Sequence, residues 1–391
     1  MRKILIVYGT RPEAIKMAPL ITAMEASEHL EPIVVVTGQH RQMLDQVNSI
    51  FGIKPRYDLN IIADRQRLEG ITARALEGIA DVLEIEHPDA VMVQGDTTTC
   101  FAGALAAFYS KAPVIHVEAG LRTYNAFDPF PEEMNRSMVS RLAALHLAPT
   151  ETARQNLLAE AIDPRRVVVT GNTVIDALLD VAARQIPPVN PDLLRLDGRR
   201  TILVTAHRRE SWGEPMARAA RAMARLANAF PDIQLLLPAH LNPAVREILL
   251  PELDGIENII ITDPLGYSDF IYAMNKSDIV LTDSGGVQEE APSLGKPVLV
   301  MRETTERPEA VLAGTVSLVG TDENLIFEQA SRLLTNQLAY DAMAKTVNPY
   351  GDGLASERSI QSIEHFFGYA ERPIDFVPSE RVAHAHAPRV S

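Results

Sequence analysis

Carboxylates at three points in the first half of the chain lie where acid–base chemistry is common. Glu118 directly follows a short apolar run that predicts a strand, Asp96 follows another such run after Gly95, and Glu132 and Glu133 follow Pro-Phe-Pro. The carboxyl ends of parallel strands meet at one edge of a sheet, so we expect these groups to lie on one rim. Burial in a closed site raises a carboxyl pKa toward the range useful for proton transfer. The alternative for Asp96 is a helix N-cap, a common position for aspartate.

The segment Gly9-Thr-Arg-Pro-Glu-Ala-Ile-Lys16 has the composition of an anion site. Gly9 permits a tight turn, Pro12 suits the first turn of a helix, and a helix N-terminus carries partial positive charge. Arg11 and Lys16 add full charges near the same point. An ordinary loop with a solvated arginine is the alternative. Neither GxxxxGKS/T nor GxGxxG occurs in the chain, which argues against a P-loop and against dinucleotide redox chemistry.

A second glycine turn, with the sequence DSGGVQEE at residues 283–290, follows a predicted strand in the second half. The amides of Ser284–Gly286 can point at a pyrophosphate with no bulky side chain in the way. Glu290 follows one helical turn later and can accept two ribose hydroxyls. Arg307 comes just after the next strand and can reach the same phosphates. The alternative is a helix cap followed by acidic residues that the helix dipole favours.

A histidine followed by two arginines comes after the first predicted strand of the second half, in the segment Ala-His207-Arg208-Arg. Isolated histidines are more often structural, but the strand end and the basic neighbours favour an anionic partner here. His240 lies in a similar loop, Leu-Pro-Ala-His. The chain contains no HExxH motif, no His and Asp spacing typical of a metal site, and no GxSxG motif. We therefore expect neither a metal centre nor a serine hydrolase.

The elements that must position these residues alternate between short β-branched runs and longer helical segments. This alternation is typical of βαβ units around a parallel sheet that is buried on both faces. The predicted strands are 4–7, 33–37, 90–94 and 114–117 in the first half, and 202–205, 233–237, 259–262, 279–282 and 298–301 in the second. The predicted helices are 13–25, 42–51, 70–86, 98–109 and, near the end of the chain, 356–367.

The same alternation of strands and helices begins again after residue 200. Between the two halves, the proline-rich segment 186–192 disfavours both helix and strand. We predict an α/β fold of two Rossmann-like, doubly wound domains that face each other across a cleft. The predicted boundaries are 1–185 for the domain with the acid–base carboxylates, 186–365 for the nucleotide-binding domain, and 366–391 for a crossing segment and mobile tail. His384 and His386 in that tail do not predict a metal site.

Composition limits the classes of function. The chain has 391 residues, 46% of them hydrophobic and 23% charged, which is typical of a globular protein with two or three domains. A formal net charge of −14 argues against non-specific binding of nucleic acid or of an anionic membrane. The single cysteine, Cys100, excludes internal disulfides. The N-terminus predicts a strand rather than a signal peptide, and no long apolar run occurs, so we expect a cytoplasmic protein.

Taken together, these segments resemble the non-hydrolysing UDP-N-acetylglucosamine 2-epimerases. The resemblance runs from residue 1 to about residue 367. It rests on long motifs in the same order, at residues 9–20, 95–99, 116–123, 131–136, 170–176, 207–211, 283–297 and 304–309. It implies the two-domain, GT-B-like fold of that family, with UDP bound by the second domain and a C-terminal helix that crosses back to the first.

The resemblance also implies the reaction and its residues. UDP-GlcNAc and UDP-ManNAc would be interconverted by elimination of UDP to 2-acetamidoglucal and re-addition, without metal or NAD. Asp96, Glu118 and Glu132 would form the acid–base pool, with His207 as a further catalytic group. The implied substrate-binding residues are Arg11, Lys16, Asp96, Glu118, His207, Phe270, Ser284, Gly285, Gly286, Glu290 and Arg307. Phe270 would pack near the uracil. Leu265 stands where some relatives have glutamine, so no side-chain contact to the base is implied there.

By the same resemblance, a second UDP-GlcNAc molecule would bind beside the substrate as an activator. The corresponding residues are Gln39, Gln42, Arg65, Glu132, Arg208 and His240. Relatives are commonly dimers, so a homodimer that serves polysaccharide biosynthesis is expected. Three alternatives stay open: a hydrolysing epimerase that releases ManNAc and UDP, a GT-B glycosyltransferase, and a non-catalytic nucleotide-sugar sensor.

Overall fold

A computed structural model of the chain describes residues 1–38, 41–62, 67–196 and 198–378, with the backbone alone at 41–43. It divides into two compact units. The first contains Met1–Asp180 and Tyr350–Val377, and the second contains Val181–Pro349. Each unit is built around its own parallel sheet.

In the described residues the first unit has a seven-stranded parallel sheet in the order β3-β2-β1-β4-β5-β6-β7. Its strands are β1 Arg2–Tyr8, β2 Leu30–Val36, β3 Tyr57–Asp58, β4 Ala90–Gln94, β5 Val114–Val117, β6 Ala143–Ala148 and β7 Val167–Val169. Its helices are α1 Arg11–Glu25, α2 Arg41–Phe51, α3 Leu68–Glu86, α4 Thr98–Tyr109, α5 Glu132–Leu142, α6 Glu151–Ala159 and α7 Thr173–Ala183, the last of which continues into the second unit.

Among its described residues the second unit has a six-stranded parallel sheet in the order β10-β9-β8-β11-β12-β13. Its strands are β8 Arg200–Thr205, β9 Ile233–Pro238, β10 Ile259–Thr262, β11 Ile279–Thr282, β12 Val298–Val300 and β13 Val316–Leu318. Its helices are α8 Glu214–Ala229, α9 Pro243–Leu253, α10 Tyr267–Lys276, α11 Gly285–Glu290, α12 Pro308–Ala313, α13 Glu323–Thr335 and α14 Gln337–Ala344.

Both sheets are doubly wound around their first strand. The chain moves outward from β1 to β3 and then returns to place β4 on the other side of β1, and β8 and β11 are related in the same way. Each sheet therefore has a switch point, where helices on opposite faces diverge and leave a crevice at the carboxyl ends of two neighbouring strands. These strand ends carry Gly9 and Gly95 in the first unit and His207 and Asp283 in the second.

The predicted α/β architecture with two parallel sheets is confirmed. Four strands have the predicted bounds, namely Ala90–Gln94, Val114–Val117, Ile259–Thr262 and Ile279–Thr282. The sequence did not predict β3, β6, β7 or β13. All five residues of β4, Ala-Val-Met-Val-Gln, are buried, as expected for a strand that helices cover on both faces.

The return of the chain to the first unit differs from the prediction, which placed residues up to 365 in the second domain. The structure returns to the first unit at Tyr350, and α15 (Ala355–Phe366) packs on α1. Asp176 on α7 accepts hydrogen bonds from the Ser356 amide at 2.7 Å and the Ala355 amide at 3.2 Å. These amides have no acceptor within their own helix, so Asp176 anchors the helix N-terminus. His384 and His386 lie outside the described residues.

Of the described helices, none combines the length and the apolar character that crossing a bilayer requires.

Candidate functional site

The turn between β1 and α1 is tightly packed beneath the edge of the first sheet. A Cβ atom on Gly9 would collide with the hydroxyls of Thr37 and Thr99, so only glycine fits. Buried Glu13 accepts hydrogen bonds from the Gly9 amide at 3.0 Å and from the Thr97 hydroxyl at 2.6 Å. Since Thr97 follows β4, Glu13 ties together the two turns at the switch point. The sequence analysis did not identify Glu13 as part of the site.

Arg11 is the first residue of α1 and its side chain is half-buried. Within the described part of the chain, its guanidinium forms no hydrogen bond or ion pair. It lies at the positive end of the helix dipole, which is a favourable position for an anion and leaves Arg11 available to bind one.

Asp96 lies in a turn that is held from several sides. His116 Nε2 lies 2.8 Å from the Gly95 carbonyl, and Asn135 Nδ2 donates to the Asp96 carbonyl at 2.9 Å. The carboxylate itself pairs with Arg136 Nη2 at 2.5 Å. Burial raises the pKa of Asp96, and the charge of Glu118 adds to this effect while the nearby cations oppose it. A carboxyl with a raised pKa at a sheet edge is suited to proton transfer.

Glu118 receives a different set of partners. Its backbone is in the left-handed region, with φ at 60°, directly after β5. Lys16 Nζ lies 2.6 Å from each of its carboxylate oxygens, and Asn172 Nδ2 donates at 3.1 Å. The Gln94 side-chain amide also donates to it. An arrangement of three donors favours the ionised carboxylate. The structure thus places Lys16, predicted for the nucleotide site, against Glu118, which the sequence predicts to be an acid–base group.

The two glutamates that begin α5 have separate roles. Buried Glu133 accepts hydrogen bonds from the amides of Thr123 and Tyr124, each at 3.0 Å, and so holds the preceding loop. Glu132 is half-buried, and its charge contributes to the raised pKa of Asp96. Glu132 therefore lies close enough to act on Asp96, while Glu133 holds the loop and also lies 3.4 Å from Arg136.

In the second unit, His207 and Asp283 come together from adjacent strands. His207 Nδ1 lies 3.0 Å from Asp283 Oδ1. Asp283 Oδ2 accepts hydrogen bonds from the amides of His207 at 2.6 Å and Arg208 at 2.8 Å. Burial alone would raise the pKa of Asp283, but the His207 ring and these two amides hold it below its ordinary value. The sequence analysis missed Asp283, although its place after β11 resembles that of Asp96 after β4.

The glycine turn after Asp283 is open. The Ser284 amide donates to Thr282 Oγ1 at 2.9 Å, so two of the three predicted amides, those of Gly285 and Gly286, remain for a ligand. They begin α11, where helix amides have no acceptor within the helix. A Cβ atom on Gly286 would meet nothing within 4 Å. One on Gly285 would lie 3.8 Å from Arg208 Nη2, so the structure brings this arginine to the glycine turn.

Two arginines organise the loop after β12. Arg307 Nε pairs with the buried carboxylate of Glu289, and the arginine side chain retains 19% of its exposure. Arg302, which the sequence analysis did not identify, contacts Glu210 at 2.7 Å and Glu306 at 2.6 Å. Because Glu210 lies in the loop that follows His207, Arg302 joins the two loops at this end of the second sheet.

The other predicted residues are placed as follows. His240 is exposed, and its ring stacks with that of His207 at a centroid distance of 6.1 Å. Phe270 on α10 and Glu290 at the end of α11 are half-buried. Gln39 and Arg65 lie outside the described residues, as does the side chain of Gln42. Among the side chains that the structure describes, no group of three or more His, Cys, Asp and Glu is arranged to hold a metal ion.

The chain is similar over most of its length to one group of enzymes. A family model described as UDP-N-acetylglucosamine 2-epimerase matches residues 22–364. The UDP-N-acetylglucosamine 2-epimerase of Yersinia pestis is 52% identical to it over 370 residues, which cover 93% of this chain and 98% of that protein.

Solved structures agree with this similarity. A Listeria monocytogenes protein named for the same activity has a TM-score of 0.91 and 49% identity, covering 96% of this chain and 99% of its own. The UDP-GlcNAc 2-epimerase of Neisseria meningitidis, solved with UDP-GlcNAc bound, has a TM-score of 0.83 and 48% identity, with coverages of 93% and 100%. The family model spans most of the chain, and relatives about 50% identical are covered over nearly their whole length, so the chain belongs to the UDP-N-acetylglucosamine 2-epimerase family.

Proposed function

We propose that this chain catalyses the reversible epimerisation of UDP-GlcNAc to UDP-ManNAc at C2, without hydrolysis and without a metal or NAD. The observation that carries the proposal is the grouping of three carboxylates, Asp96, Glu118 and Glu132, at one edge of the first sheet. Membership of the epimerase family and the relative solved with UDP-GlcNAc support the substrate.

The chemistry has to overcome the low acidity of the C2 proton, since no carbonyl group lies next to it. In the proposed elimination, a base removes the C2 proton while the bond from C1 to the diphosphate oxygen breaks with its electron pair on UDP. The products are 2-acetamidoglucal and UDP. In the return step the glucal takes a proton at C2 from the opposite face, and the diphosphate oxygen bonds to C1 again. The proton lost and the proton gained balance, so no other reactant is needed.

The three carboxylates supply the proton carriers for the two steps. Asp96, with its raised pKa, can hold a proton at a pH where an ordinary aspartate is ionised. Glu118, surrounded by the donors of Lys16, Gln94 and Asn172, is better suited to the ionised form. Glu132 supplies a third carboxylate beside them.

The groups that stabilise the departing diphosphate have a clear electrostatic task. Breaking the C1–O bond adds negative charge to UDP, and cations or amides aimed at that charge lower the barrier. In this proposal His207, the amides of Gly285 and Gly286 and the Ser284 hydroxyl serve that purpose. Arg11 and Arg307 bind the phosphates, Glu290 accepts the ribose hydroxyls, and Phe270 packs near the uracil.

The proposal includes activation by a second UDP-GlcNAc and a homodimeric state. Arg208 and His240, two of the proposed activator residues, lie beside the glycine turn and the His207 ring, respectively. A ligand held by both would contact groups that also serve the substrate, which is a direct route for activation.

Product analysis in deuterated water tests the proposed function. Purified protein is incubated with UDP-GlcNAc in D2O, and the products are followed by proton NMR. We expect both UDP-sugars to accumulate with deuterium at C2. Release of free ManNAc and UDP in amounts that match turnover would instead show a hydrolysing epimerase, and an unchanged C2 proton would exclude elimination.

A further inference from the structure

We propose that Asp283 is a positioning residue that holds the Nδ1 side of the His207 imidazole, so that Nε2 carries the proton presented to the leaving diphosphate. This inference rests on the proposed function of His207. It assigns to Asp283 a part in the reaction even though its own carboxylate does not contact the substrate.

The geometry shows that the Asp283 carboxylate is held in place and that the His207 ring is exposed. Asp283 is 2% exposed, whereas the His207 side chain is 42% exposed and Nδ1 is the nitrogen that faces the carboxylate, at 3.0 Å. The two backbone amides that donate to the other oxygen of Asp283 prevent the carboxylate from rotating away. The carboxylate therefore sits inside the unit and the far edge of the ring is directed outward.

The choice of ring nitrogen has a chemical consequence. A carboxylate 3.0 Å from one nitrogen of an imidazole favours the tautomer that has its proton on that nitrogen. A neutral ring held in this way has a lone pair on Nε2, which would repel a phosphate oxygen. From this tautomer only the imidazolium can donate through Nε2, and the Asp283 carboxylate is the counter-ion of that form.

The other neighbours of His207 include two cations of its own loop, Arg208 and Arg209. The exposed His240 ring stacks on it at 6.1 Å, and Arg208 is the next residue in the chain. Arg209 lies over the Trp212 ring, at 6.0 Å, and Glu210 pairs with Arg302. Cations near an imidazole oppose a second proton, and the adjacent Asp283 carboxylate offsets them.

The test uses Asp283→Asn in the full chain, because the asparagine oxygen can still accept both backbone amides. Its side-chain NH2 would face Nδ1, which reverses the tautomer of the neutral ring. We expect kcat to fall about tenfold rather than to vanish, because the neutral ring of the variant still donates from Nε2 but without the imidazolium charge, and KM should change less than about threefold. The variant should lose less of its activity than the wild type as the pH rises, because its neutral ring still donates from Nε2. Nitrogen-15 NMR of the ligand-free protein should show the neutral His207 ring protonated at Nδ1 in the wild type and at Nε2 in the variant.

Asp278→Asn is the matched control. Asp278 precedes β11 and accepts the Thr201 amide at 2.7 Å, so it supports the same strand pair from the opposite end without contacting a histidine. We expect this variant to keep the wild-type pH profile. A thermal melt of both variants separates loss of folding from loss of positioning.

Combining Asp283→Asn with His207→Gln separates this inference from the proposed function. If Asp283 acts through His207, adding its substitution to His207→Gln should lower kcat by less than about twofold. The positioning role would be overturned if the two substitutions lowered kcat additively. It would also be overturned if Asp283→Asn had the same His207 tautomer and the same alkaline limb of the kcat profile as the wild type. Full activity of His207→Gln alone would instead contradict the function proposed for that histidine.

Discussion

The ammonium group of Lys16 lies 2.6 Å from both carboxylate oxygens of Glu118. This contact joins the first helix to the end of β5, and both side chains are largely buried, with 16% and 7% of their surfaces exposed. An ion pair in such surroundings is sensitive to the loss of one partner, because the remaining charge stays buried without compensation.

Replacing Lys16 with methionine should therefore act on turnover rather than on nucleotide binding. We expect kcat to fall about 100-fold and unfolding free energy to fall by about 3 kcal/mol, while the Kd for UDP stays within about threefold. Initial rates, denaturant unfolding and calorimetry with UDP provide the three values. Lys345→Met, which removes an exposed pair with Asp341, is the control and should change none of them. A large loss of UDP affinity with kcat unchanged would show instead that Lys16 binds the nucleotide.

Asp96→Asn should remove turnover and make the protein more stable at neutral pH. The folded state raises the pKa of this carboxyl, so the native protein binds the proton more tightly than the unfolded chain does. Stability from this group is therefore lost as pH rises above the ordinary value of 3.8 and through the raised one. Thermal melts from pH 4 to pH 8 should show the gap between variant and wild type widening as the pH rises. A variant less stable than the wild type at pH 7 would contradict the assignment.

Two glycine-to-alanine substitutions should have opposite consequences. Gly9→Ala introduces a Cβ that collides with two threonine hydroxyls, and we expect it to lower the unfolding free energy by about 2–3 kcal/mol. Gly286→Ala adds a methyl group to open space at the start of α11, so folding should be unaffected and UDP affinity should fall at least about tenfold. Denaturant unfolding and calorimetry measure the pair. Equal UDP affinity in Gly286→Ala and wild type would show that the diphosphate does not bind at this turn.

The proposed activator predicts a lag when UDP-ManNAc is the only substrate. Conversion should begin slowly and accelerate as UDP-GlcNAc forms, and a trace of added UDP-GlcNAc should abolish the lag. Arg208→Ala should weaken this response, because Arg208 lies beside the glycine turn. Stopped assays over the first turnovers provide the measurement. Full initial speed with UDP-ManNAc alone would show that no activator is needed.

Much of the fold was predictable because buried parallel strands are continuous β-branched runs. The strand β4, Ala-Val-Met-Val-Gln, is such a run and was predicted with its observed bounds. In contrast, β6 is Ala-Ala-Leu-His-Leu-Ala, which has little β-branched character and follows α5 with no turn residue between them. The strand β7 has three residues and is too short for periodicity to be detected. The Asn-Pro-Tyr-Gly break near residue 350 was visible, and the resemblance implied a C-terminal helix that crosses back to the first domain, but the boundary predicted at residue 365 was too late.

The candidate site, like the fold, was predictable only in part. Residue type and position after a strand were enough to select Asp96, Glu118 and His207. The contacts that tune them were not predictable, because they depend on strand order. His207 and Asp283 meet because β8 and β11 are neighbours, and Lys16 reaches Glu118 from a helix over a hundred residues earlier in the chain.

The central claim is that the bond between C1 and the diphosphate oxygen breaks and forms again on the protein. The direct test starts from UDP-GlcNAc with oxygen-18 in the position that bridges C1 and the β-phosphorus. Phosphorus NMR of the recovered substrate should show the label spread from the bridging to the non-bridging β-phosphate positions, because the β-phosphate of bound UDP can rotate before the bond is restored. A label that stays entirely in the bridge while C2 is epimerised would contradict the elimination mechanism.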